Sequence, residues 1–260
     1  MEKRKQKEIE YFDKEAEERI KNNSKKKEKD GFEEPTSFLL ESFVFVHKFL
    51  KNKCKGKKIL DYGCGSGIHS IWLAEYGGEV VGIDLSEKSL AIAKEKARKL
   101  NLTDKLQFLL MDCEKLSFPN DSFDIIFDGG TFSSLDINKV FPEINRVLKP
   151  GGFLIGIETL GHNPFTNFKR KINEITGKRT KWAARHIFRI QNLKEAKEHF
   201  NKVETYFFHF VSWLAFPFLN FPGGKILLKL LEKIDHFLIF LFPFFKKYSF
   251  KIVFIFSQPK

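Results

Sequence analysis

Residues Lys58–Gly67 read KILDYGCGSG, and this stretch decides the fold of the chain. The first five residues form a short, largely apolar run that predicts a buried strand, and glycines follow at positions 63, 65 and 67. Glycine allows a sharp turn and a close approach to a ligand, so the run predicts a strand, a ligand-binding turn and a helix. A nicotinamide or flavin turn of the GxGxxG type would need glycine at position 68, where this chain has Ile68.

Acidic residues end the first two predicted strands. A carboxylate at Asp61 would repel a pyrophosphate, whereas it suits a positively charged ammonium group. Asp84 follows the last glycine of the turn by 17 positions and can accept hydrogen bonds from both hydroxyls of a ribose. The alternative is that Asp84, or Ser86, merely caps the helix that begins near Glu87.

Outward from this turn, short apolar runs alternate with helical patterns. Strands are predicted at 58–62, 79–84, 106–111, 123–128, 152–158, 202–210 and 250–256. Helices are predicted at 67–76, 87–100, 136–148 and 192–200, and Lys149–Gly152 predicts a turn that opens the fifth strand. This alternation is typical of an α/β fold, with a parallel sheet and crossover helices on both faces.

Two further acidic positions follow strands three and four. Asp112, with Cys113 beside it, can accept a hydrogen bond from the amino group of an adenine, or it is a solvated turn residue. Asp128 and Gly129 lie where the fourth strand ends, at the sheet edge where open α/β proteins bind ligands. Together with the glycine turn, these positions predict one extended ligand site along that edge.

These motifs resemble those of class I methyltransferases that use S-adenosyl-L-methionine (SAM), of the broad small-molecule type. The resemblance covers roughly residues 57–158, including Phe141–Gly152, which resembles the family's helix and turn before strand five. It implies a Rossmann-like, mostly parallel seven-stranded sheet with an antiparallel last strand, and SAM as the cofactor. It also implies that Asp128 and Gly129 lie near the sulfonium and the methyl acceptor. The predicted cofactor contacts are Asp61, Gly63, Cys64, Gly65, Gly67, Asp84, Leu85, Asp112, Cys113, Asp128 and Gly129, with no metal ligand.

Beyond strand five, Leu160–Pro164, Arg179–Thr180 and His186 resemble a bacterial and archaeal subset of these enzymes. In that subset Arg-Thr is followed shortly by an acid and a histidine, whereas here the spacing is longer and Arg185 precedes His186. A general base is needed if the methyl acceptor is a weakly acidic hydroxyl, amine or carbon. His162 is the candidate catalytic base, with a turn residue bonded to the local backbone as the alternative; the histidines expected to be structural are His47, His69, His199, His209 and His236.

The predicted domain organisation has two parts, a charged helical segment at 1–56 and a SAM-binding domain at 57–260. The first part has helical patterns at 8–20 and 38–50, joined by a polar linker at 21–30. The second part has cap insertions at 159–190 and 211–249.

The insertion at 211–249 connects strand six to a returning strand seven, so it should emerge at the carboxyl edge of the sheet, near the mouth of the site. Lys225, Lys229 and Lys233 recur there at helical spacing among Leu and Ile, which is typical of a helix lying in a membrane interface. A lid or a dimer interface is the alternative. The apolar stretches are too short or too interrupted for a transmembrane span, which needs about 20 residues.

Composition narrows the partners. The chain has a net charge of +12, and residues 161–260 alone carry a net charge of +12 and hold 18 of the 31 Phe. Such a segment favours an anionic membrane, substrate or nucleic acid as its partner. Three widely spaced cysteines exclude a disulfide framework, and the charged start lacks a signal-peptide core. A cytoplasmic location is expected, with or without peripheral attachment to a membrane.

The predicted function is methyl transfer from SAM to a small-molecule or lipid-like acceptor, such as an isoprenoid or quinone-type molecule. One alternative is an RNA or protein methyltransferase, which the basic final third favours. Against it, no Asn-Pro-Pro-Tyr-type motif follows strand four, and the chain has no recognisable RNA-binding module. The other alternative is a non-catalytic SAM-binding or membrane scaffold protein. DNA is not expected as a partner, and the oligomeric state stays open.

Overall fold

The computed structural model describes residues 2–25 and 39–260. Within them, seven strands form one sheet: β1 Lys58–Tyr62, β2 Glu79–Asp84, β3 Leu106–Leu110, β4 Phe123–Asp128, β5 Leu148–Thr159, β6 Phe200–Phe208 and β7 Lys251–Pro259. Their order across the sheet is β3-β2-β1-β4-β5-β7-β6. Strands β1 to β5 pair in parallel, whereas β7 lies antiparallel between β5 and β6. This arrangement confirms the predicted fold class.

The strand order reverses between β1 and β4, which lie side by side. Tyr62 at the end of β1 pairs with Ile83 of β2 and with Asp128 of β4. The carboxyl ends of these three strands therefore meet at one place on the sheet edge. Such a switch point opens a crevice in which α/β proteins bind their ligands.

Helices cover both faces of the sheet. They are α1 Lys3–Lys25, α2 Glu41–Lys51, α3 Ile68–Glu75, α4 Glu87–Lys99, α5 Ile137–Val147, α6 Pro164–Ile175, α7 Lys181–Arg185, α8 Asn192–His199 and α9 Gly224–Leu241. Helices α2, α3 and α4 pack on one face through a core that includes Leu50 and Ile71. Helices α5 and α8 pack on the other face through a core that includes Ile144 and Ala196. Burial of these apolar faces is the main stabilising contribution to the fold.

Predicted and observed bounds agree for β1, β2 and β4, and differ where the backbone is irregular. β5 begins at Leu148 rather than at 152, because the predicted turn Lys149–Gly152 is a bulge inside the strand, where the register against β4 shifts. β6 begins and ends two residues earlier than predicted, and β7 runs over Lys251–Pro259 rather than 250–256. Gly151, with φ +80°, provides the left-handed residue of the bulge.

The amino-terminal helix is longer than the sequence pattern indicated. α1 has 23 residues and continues to Lys25, so the first half of the predicted linker at 21–30 is helical. The later part of that linker, and position 38 of the next predicted helix, lie outside the described residues. The division of the chain at 56/57 stays a prediction.

The two predicted insertions contain helices at the carboxyl edge of the sheet. Residues 159–190 contain α6 and α7, and residues 211–249 contain α9 between two 3₁₀ segments, Ser212–Phe218 and Pro243–Tyr248. None of the helices in the described parts of the chain is both long and apolar enough to traverse a bilayer.

Candidate functional site

Two glycines of the turn between β1 and α3, Gly63 and Gly67, leave no room for a side chain. Gly63 has φ +71°, and a Cβ there would lie 2.4 Å from the side chain of Thr131, beyond the end of β4. Gly67 has φ +75°, and its Cβ would lie 2.8 Å from that of Ala93 in α4. The backbone N–H of Cys64 donates to the carbonyl of Ile83 at 2.9 Å and so ties the turn to β2. The turn is held as a rigid cradle at the switch point.

Asp61 is a buried carboxylate beside this cradle. Its side chain is 1% exposed and accepts a hydrogen bond from the hydroxyl of Ser70 at 2.5 Å. Burial raises the pKa of Asp61 to about 7, with Ser70 acting in the opposite direction. A buried carboxylate is costly unless a cation pairs with it, and no ion pair with Asp61 occurs among residues 2–25 and 39–260. The position therefore fits a ligand that brings a positive charge.

Asp84 holds the glycine turn in place from the end of β2. Its carboxylate accepts one hydrogen bond from the N–H of Gly65 and one from the N–H of Ser86, each at 2.8 Å. Ser86, not Asp84, caps α4, because its hydroxyl accepts from the N–H of Ser89 at 3.0 Å. Each carboxylate oxygen keeps a further lone pair, so Asp84 can accept from ribose hydroxyls as well.

The segment after β3 continues the same edge. Asp112 accepts from the N–H of Glu114 at 2.9 Å, and Lys5 of α1 forms ion pairs with both acids, at 2.5 Å to Asp112 and 2.8 Å to Glu114. The carbonyl of Cys113 accepts a hydrogen bond from the hydroxyl of Tyr62. Asp112 is thus a partly exposed acid at the position predicted for adenine recognition. Leu85, the residue after Asp84 and another predicted contact, is half-buried.

Two of the predicted contacts are thiols. Cys64 lies in the glycine turn and Cys113 follows Asp112, and they are 5% and 4% exposed. Burial raises the pKa of both thiols well above the ordinary value. Both cysteines therefore remain neutral, and the suggested role of Cys113 as an apolar neighbour of a ring is compatible with this state.

Helix α1 crosses the three loops that hold the predicted cofactor contacts. Lys5 reaches Asp112, Asp13 accepts from the hydroxyl of Ser86 at 2.6 Å, and Arg19 donates to the hydroxyl of Ser66 at 3.2 Å. The helix therefore covers the carboxyl edge of the sheet that holds these predicted contacts, which we call the cofactor edge. Sequence reasoning missed this placement, because contacts between residues so distant along the chain leave no local pattern.

The carboxyl ends of β4 and β5 bring two acids together. Asp128 is fully buried; one of its oxygens accepts from the N–H of Thr131 at 2.9 Å, and the other has no hydrogen-bond partner in the described structure. Glu158 is 2% exposed and accepts from the N–H of Phe132 at 2.7 Å. Burial raises the pKa of both, and Glu158 raises that of Asp128 further. Sequence reasoning missed Glu158, although an acid at the end of β5 obeys the rule that singled out Asp128.

At position 129, next to Asp128, only glycine fits, because the ring of a histidine of α3 lies against it. A Cβ at Gly129 would lie 2.8 Å from the ring of His69. The indole N–H of Trp72 donates to Nδ1 of His69 at 3.1 Å, and burial lowers the pKa of His69 to about 3. His69 is therefore a neutral imidazole that walls the site between Gly129 and Phe127, whose ring centroid is 5.0 Å away.

His162 is held by the backbone in the structure. Its Nε2 accepts from the N–H of Ile190 at 3.2 Å, and partial burial lowers its pKa. This bond joins His162 to a backbone group 28 positions away rather than to its own turn, and a role as general base stays a prediction. His186 stacks on Trp182 at 3.5 Å on an exposed turn, whereas Arg179 donates to Ser133 at 2.8 Å, so the structure does not bring these two residues together.

Comparisons with known proteins point the same way. Residues 60–156 match the family model described as a methyltransferase domain. The chain is 31% identical over 182 residues to the demethylmenaquinone methyltransferase of Lysinibacillus sphaericus (strain C3-41), covering 68% of this chain and 69% of that protein. It is 32% identical over 127 residues to the sterol 24-C-methyltransferase of Pneumocystis carinii (strain B80), covering 48% and 33%.

Among solved structures, the geranyl diphosphate C-methyltransferase of Streptomyces coelicolor A3(2) has a TM-score of 0.58 at 14% identity, covering 83% of this chain and 79% of that chain. That likeness concerns the fold. The chain belongs to the class I SAM-dependent methyltransferases, and the buried acid and tight glycine turn fit the cofactor of that class. It spans about a third of the length of the curated sterol methyltransferases that it matches.

Proposed function

We propose that this chain transfers the methyl group of SAM to a small-molecule or lipid-like acceptor. The observation that carries the proposal is Asp61, a buried carboxylate without a cationic partner in the described structure, set beside a turn that only glycine can form. The ammonium group of the methionine part of SAM would pair with it. Family membership supports the reaction, and the names of the sterol and demethylmenaquinone relatives support a lipid-like acceptor.

Each part of the cofactor edge has a task in this proposal. SAM, when bound, supplies a methyl group on a sulfonium, which is a good leaving group. Asp61 binds the ammonium, Asp84 orients the ribose while it fixes Gly65, and Asp112 accepts from the adenine. α1, lying across these loops, excludes water. Orientation and exclusion of water contribute roughly 7–11 kcal/mol in well-aligned reactions, so much of the rate needs no proton transfer.

Proton transfer, where the acceptor requires it, is assigned to the end of β4. Asp128 has a buried oxygen without a hydrogen-bond partner in the described structure, and it lies two positions from Gly130, which has φ +109°. Burial raises the pKa values of Asp128 and Glu158, and the charge of Lys251 acts in the opposite direction on both. His162 is the second candidate for this role; its Nε2 accepts from the N–H of Ile190, so the neutral ring carries its proton on Nδ1 and would have to release Ile190 before Nε2 could take up a proton.

The acceptor is proposed to reach the site from a membrane surface in the cytoplasm. Residues 211–249 follow the end of β6, so they lie at the carboxyl edge of the sheet, and their exposed side chains include Phe218, Phe240 and Phe244. A lipid-like acceptor would be sparingly soluble in water, and a peripheral enzyme meets such a molecule where it is concentrated. The basic final third supports attachment to an anionic surface.

The test is a methyl-transfer assay with radiolabelled SAM and three separate acceptor pools from cells: a lipid extract, RNA and protein. The expected result is label in the lipid pool, and none with Asp61→Asn in the same assay. Asp104→Asn, at an exposed position between α4 and β3, is the matched control and should retain full activity. Label in RNA or protein alone would mean that the acceptor is RNA or protein rather than a lipid. Failure to bind SAM at all would refute the proposal.

A further inference from the structure

Helix α9 has its polar and apolar faces reversed. The positions that it buries are Gly224, Leu228, Glu232 and Asp235, whereas large apolar side chains point outward. Those outward side chains are Ile226 (76% exposed), Leu230 (56%), Phe237 (62%) and Phe240 (81%). A helix that packs on a protein core normally buries its apolar stripe and exposes its charges. α9 therefore has an apolar face that the described fold does not cover.

The buried acids of α9 explain why the helix sits this way round. Asp235 accepts hydrogen bonds from the N–H groups of Val211 (2.6 Å) and Ser212 (3.2 Å), at the start of the preceding 3₁₀ segment. Glu232 accepts from the N–H of Glu41 at 3.1 Å, at the start of α2. These bonds satisfy backbone donors at two segment starts, so the orientation of the helix is specified rather than accidental.

Helix α6 repeats the reversal independently. It buries Thr166 and Arg170, and it exposes Phe165 (70%), Phe168 (68%) and Ile175 (76%) along one stripe. The two helices belong to one surface because contacts join their surroundings. The ring of Phe165 lies 6.1 Å from that of Trp213 in the 3₁₀ segment before α9, and Asn163 at the start of α6 donates to the carbonyl of Tyr248 at 2.9 Å.

The exposed charges around this surface have one sign. Lysines flank the apolar side chains on α6, on α9 and after α9: Lys169, Lys171, Lys225, Lys229, Lys233, Lys246 and Lys247. Of the acids on the two helices, Glu232 and Asp235 are buried, with Glu232 paired to Lys229 at 2.8 Å, and Glu174 is paired with Arg185 at 3.2 Å. An apolar face rimmed by cations complements an anionic lipid surface.

We infer that α6 and α9 together form a docking face for an anionic lipid bilayer. We call this surface, made of the exposed apolar side chains and lysines of the two helices, the α6–α9 face. The apolar side chains would enter the region between headgroups and acyl chains, and the lysines would lie at the anionic headgroups. A cavity of about 350 Å³ lies beside α9, and its lining includes Phe240 and Lys246 of this region as well as the acids Glu41 and Asp235. The inference rests on the proposed function for the lipid-like acceptor, but docking itself is measured without methyl transfer.

The experiment is flotation of the full chain with phosphatidylcholine vesicles and with vesicles that also contain phosphatidylglycerol. We expect the protein to float with the anionic vesicles and to stay behind with phosphatidylcholine, and we expect high salt to release it. The double variant Phe168→Ser, Phe240→Ser should lose at least tenfold in the floated fraction. The triple variant Lys169→Gln, Lys225→Gln, Lys233→Gln should lose a similar amount, because both the apolar and the cationic part are needed.

Controls separate docking from folding and from cofactor binding. The triple variant Lys94→Gln, Lys194→Gln, Lys197→Gln removes the same charge from exposed positions on α4 and α8 and should float like the parent protein. All variants should bind SAM with unchanged affinity in calorimetric titration. A parent protein that stays in solution with anionic vesicles refutes the inference. So does a dimer in sedimentation that Phe168→Ser, Phe240→Ser dissociates, since the face would then be occupied by a second copy. Loss of SAM binding by the parent protein would instead overturn the proposed function.

Discussion

The cofactor edge and the α6–α9 face depart from ordinary burial in opposite directions. At the cofactor edge, Asp61 is buried although no cation pairs with it in the described structure, and α1 covers the loops with polar contacts. At the α6–α9 face, phenylalanines are exposed while acids are buried. In each region the unfavourable group is the basis of a proposed ligand: a cation at Asp61, and an apolar phase at Phe168 and Phe240. The comparison also separates their roles, because the cofactor edge should respond to single substitutions and the face to several together.

Gly63→Ala is the strongest way to break the cofactor edge. The added Cβ would lie 2.4 Å from Thr131 at a φ of +71°. Left-handed backbone costs about 1–2 kcal/mol for a side chain, and overpacking adds about 1–3 kcal/mol. We expect a lower melting temperature and no measurable SAM binding. Gly56→Ala is the matched control, with φ +68° and open space around it, and should show the backbone cost alone. Equal melting temperatures for the two variants would contradict the tight fit of the turn.

Asp84→Ala should weaken SAM binding by roughly 100-fold, since hydrogen bonds to a charged group contribute about 1.5–3 kcal/mol each. The substitution removes the acceptor for the N–H of Gly65 as well as the ribose contact. Calorimetric titration measures the loss, and Asp104→Ala serves as the exposed control. A change below threefold would show that Asp84 only anchors the glycine turn.

The affinity for SAM should depend on pH through Asp61. Its pKa is about 7 in the cofactor-free protein, and the ammonium of SAM pairs with the ionised form, which binding therefore stabilises. Below about pH 7, Asp61 is protonated and must lose its proton before it pairs with the ammonium, so the affinity drops by about tenfold per pH unit. Above that pH, the contribution of Asp61 to the affinity is constant. Asp61→Asn should bind SAM more weakly and lose this dependence. The difference between the two pH profiles below about pH 7 isolates Asp61, because the amino group of the cofactor stays protonated in that range.

The smallest effect is expected on the outer side of α9. Ile226→Ser should change the free energy of unfolding by no more than about 0.5 kcal/mol, as is usual for exposed positions. Leu228→Ser, two positions away but 1% exposed, should lower the free energy of unfolding by about 2–5 kcal/mol, the range for buried leucine truncation. Chemical denaturation of both variants measures the contrast. A large loss for Ile226→Ser would mean that the apolar side of α9 packs within the protein.

The sequence was most informative where burial and turn chemistry coincide. β1, β2 and β4 are buried apolar runs that end in Asp or in the glycine turn, and their bounds were predicted to the residue. β5 was misplaced at its start because Lys149–Gly152 has the composition of a turn yet continues the strand as a bulge. The predicted row of acids at the carboxyl edge lies along that edge in the structure.

Other features depend on contacts between distant residues. The position of α1 is specified by pairs such as Lys5 with Asp112, which are 107 positions apart. The reversed faces of α6 and α9 follow from Arg170 and Asp235 reaching inward, and a charged residue in a helix is ordinarily assigned to the solvent side. Glu158 was accessible to the same edge rule as Asp128. The cytoplasmic location and the role of His162 stay predictions.

The buried thiols have a practical consequence. Only the thiolate reacts with alkylating reagents, so Cys64 and Cys113, which lie in the cores on the two faces of the sheet, should be modified in molecules in which the packing around the cofactor edge has opened, and a saturating cofactor should slow the reaction. Cys54 lies before β1, away from those loops, and burial raises its pKa to about 12. Its modification rate provides the reference rate for global unfolding in the same sample. Comparing the three rates in one sample would distinguish local opening of the cofactor edge from global unfolding with no engineered label.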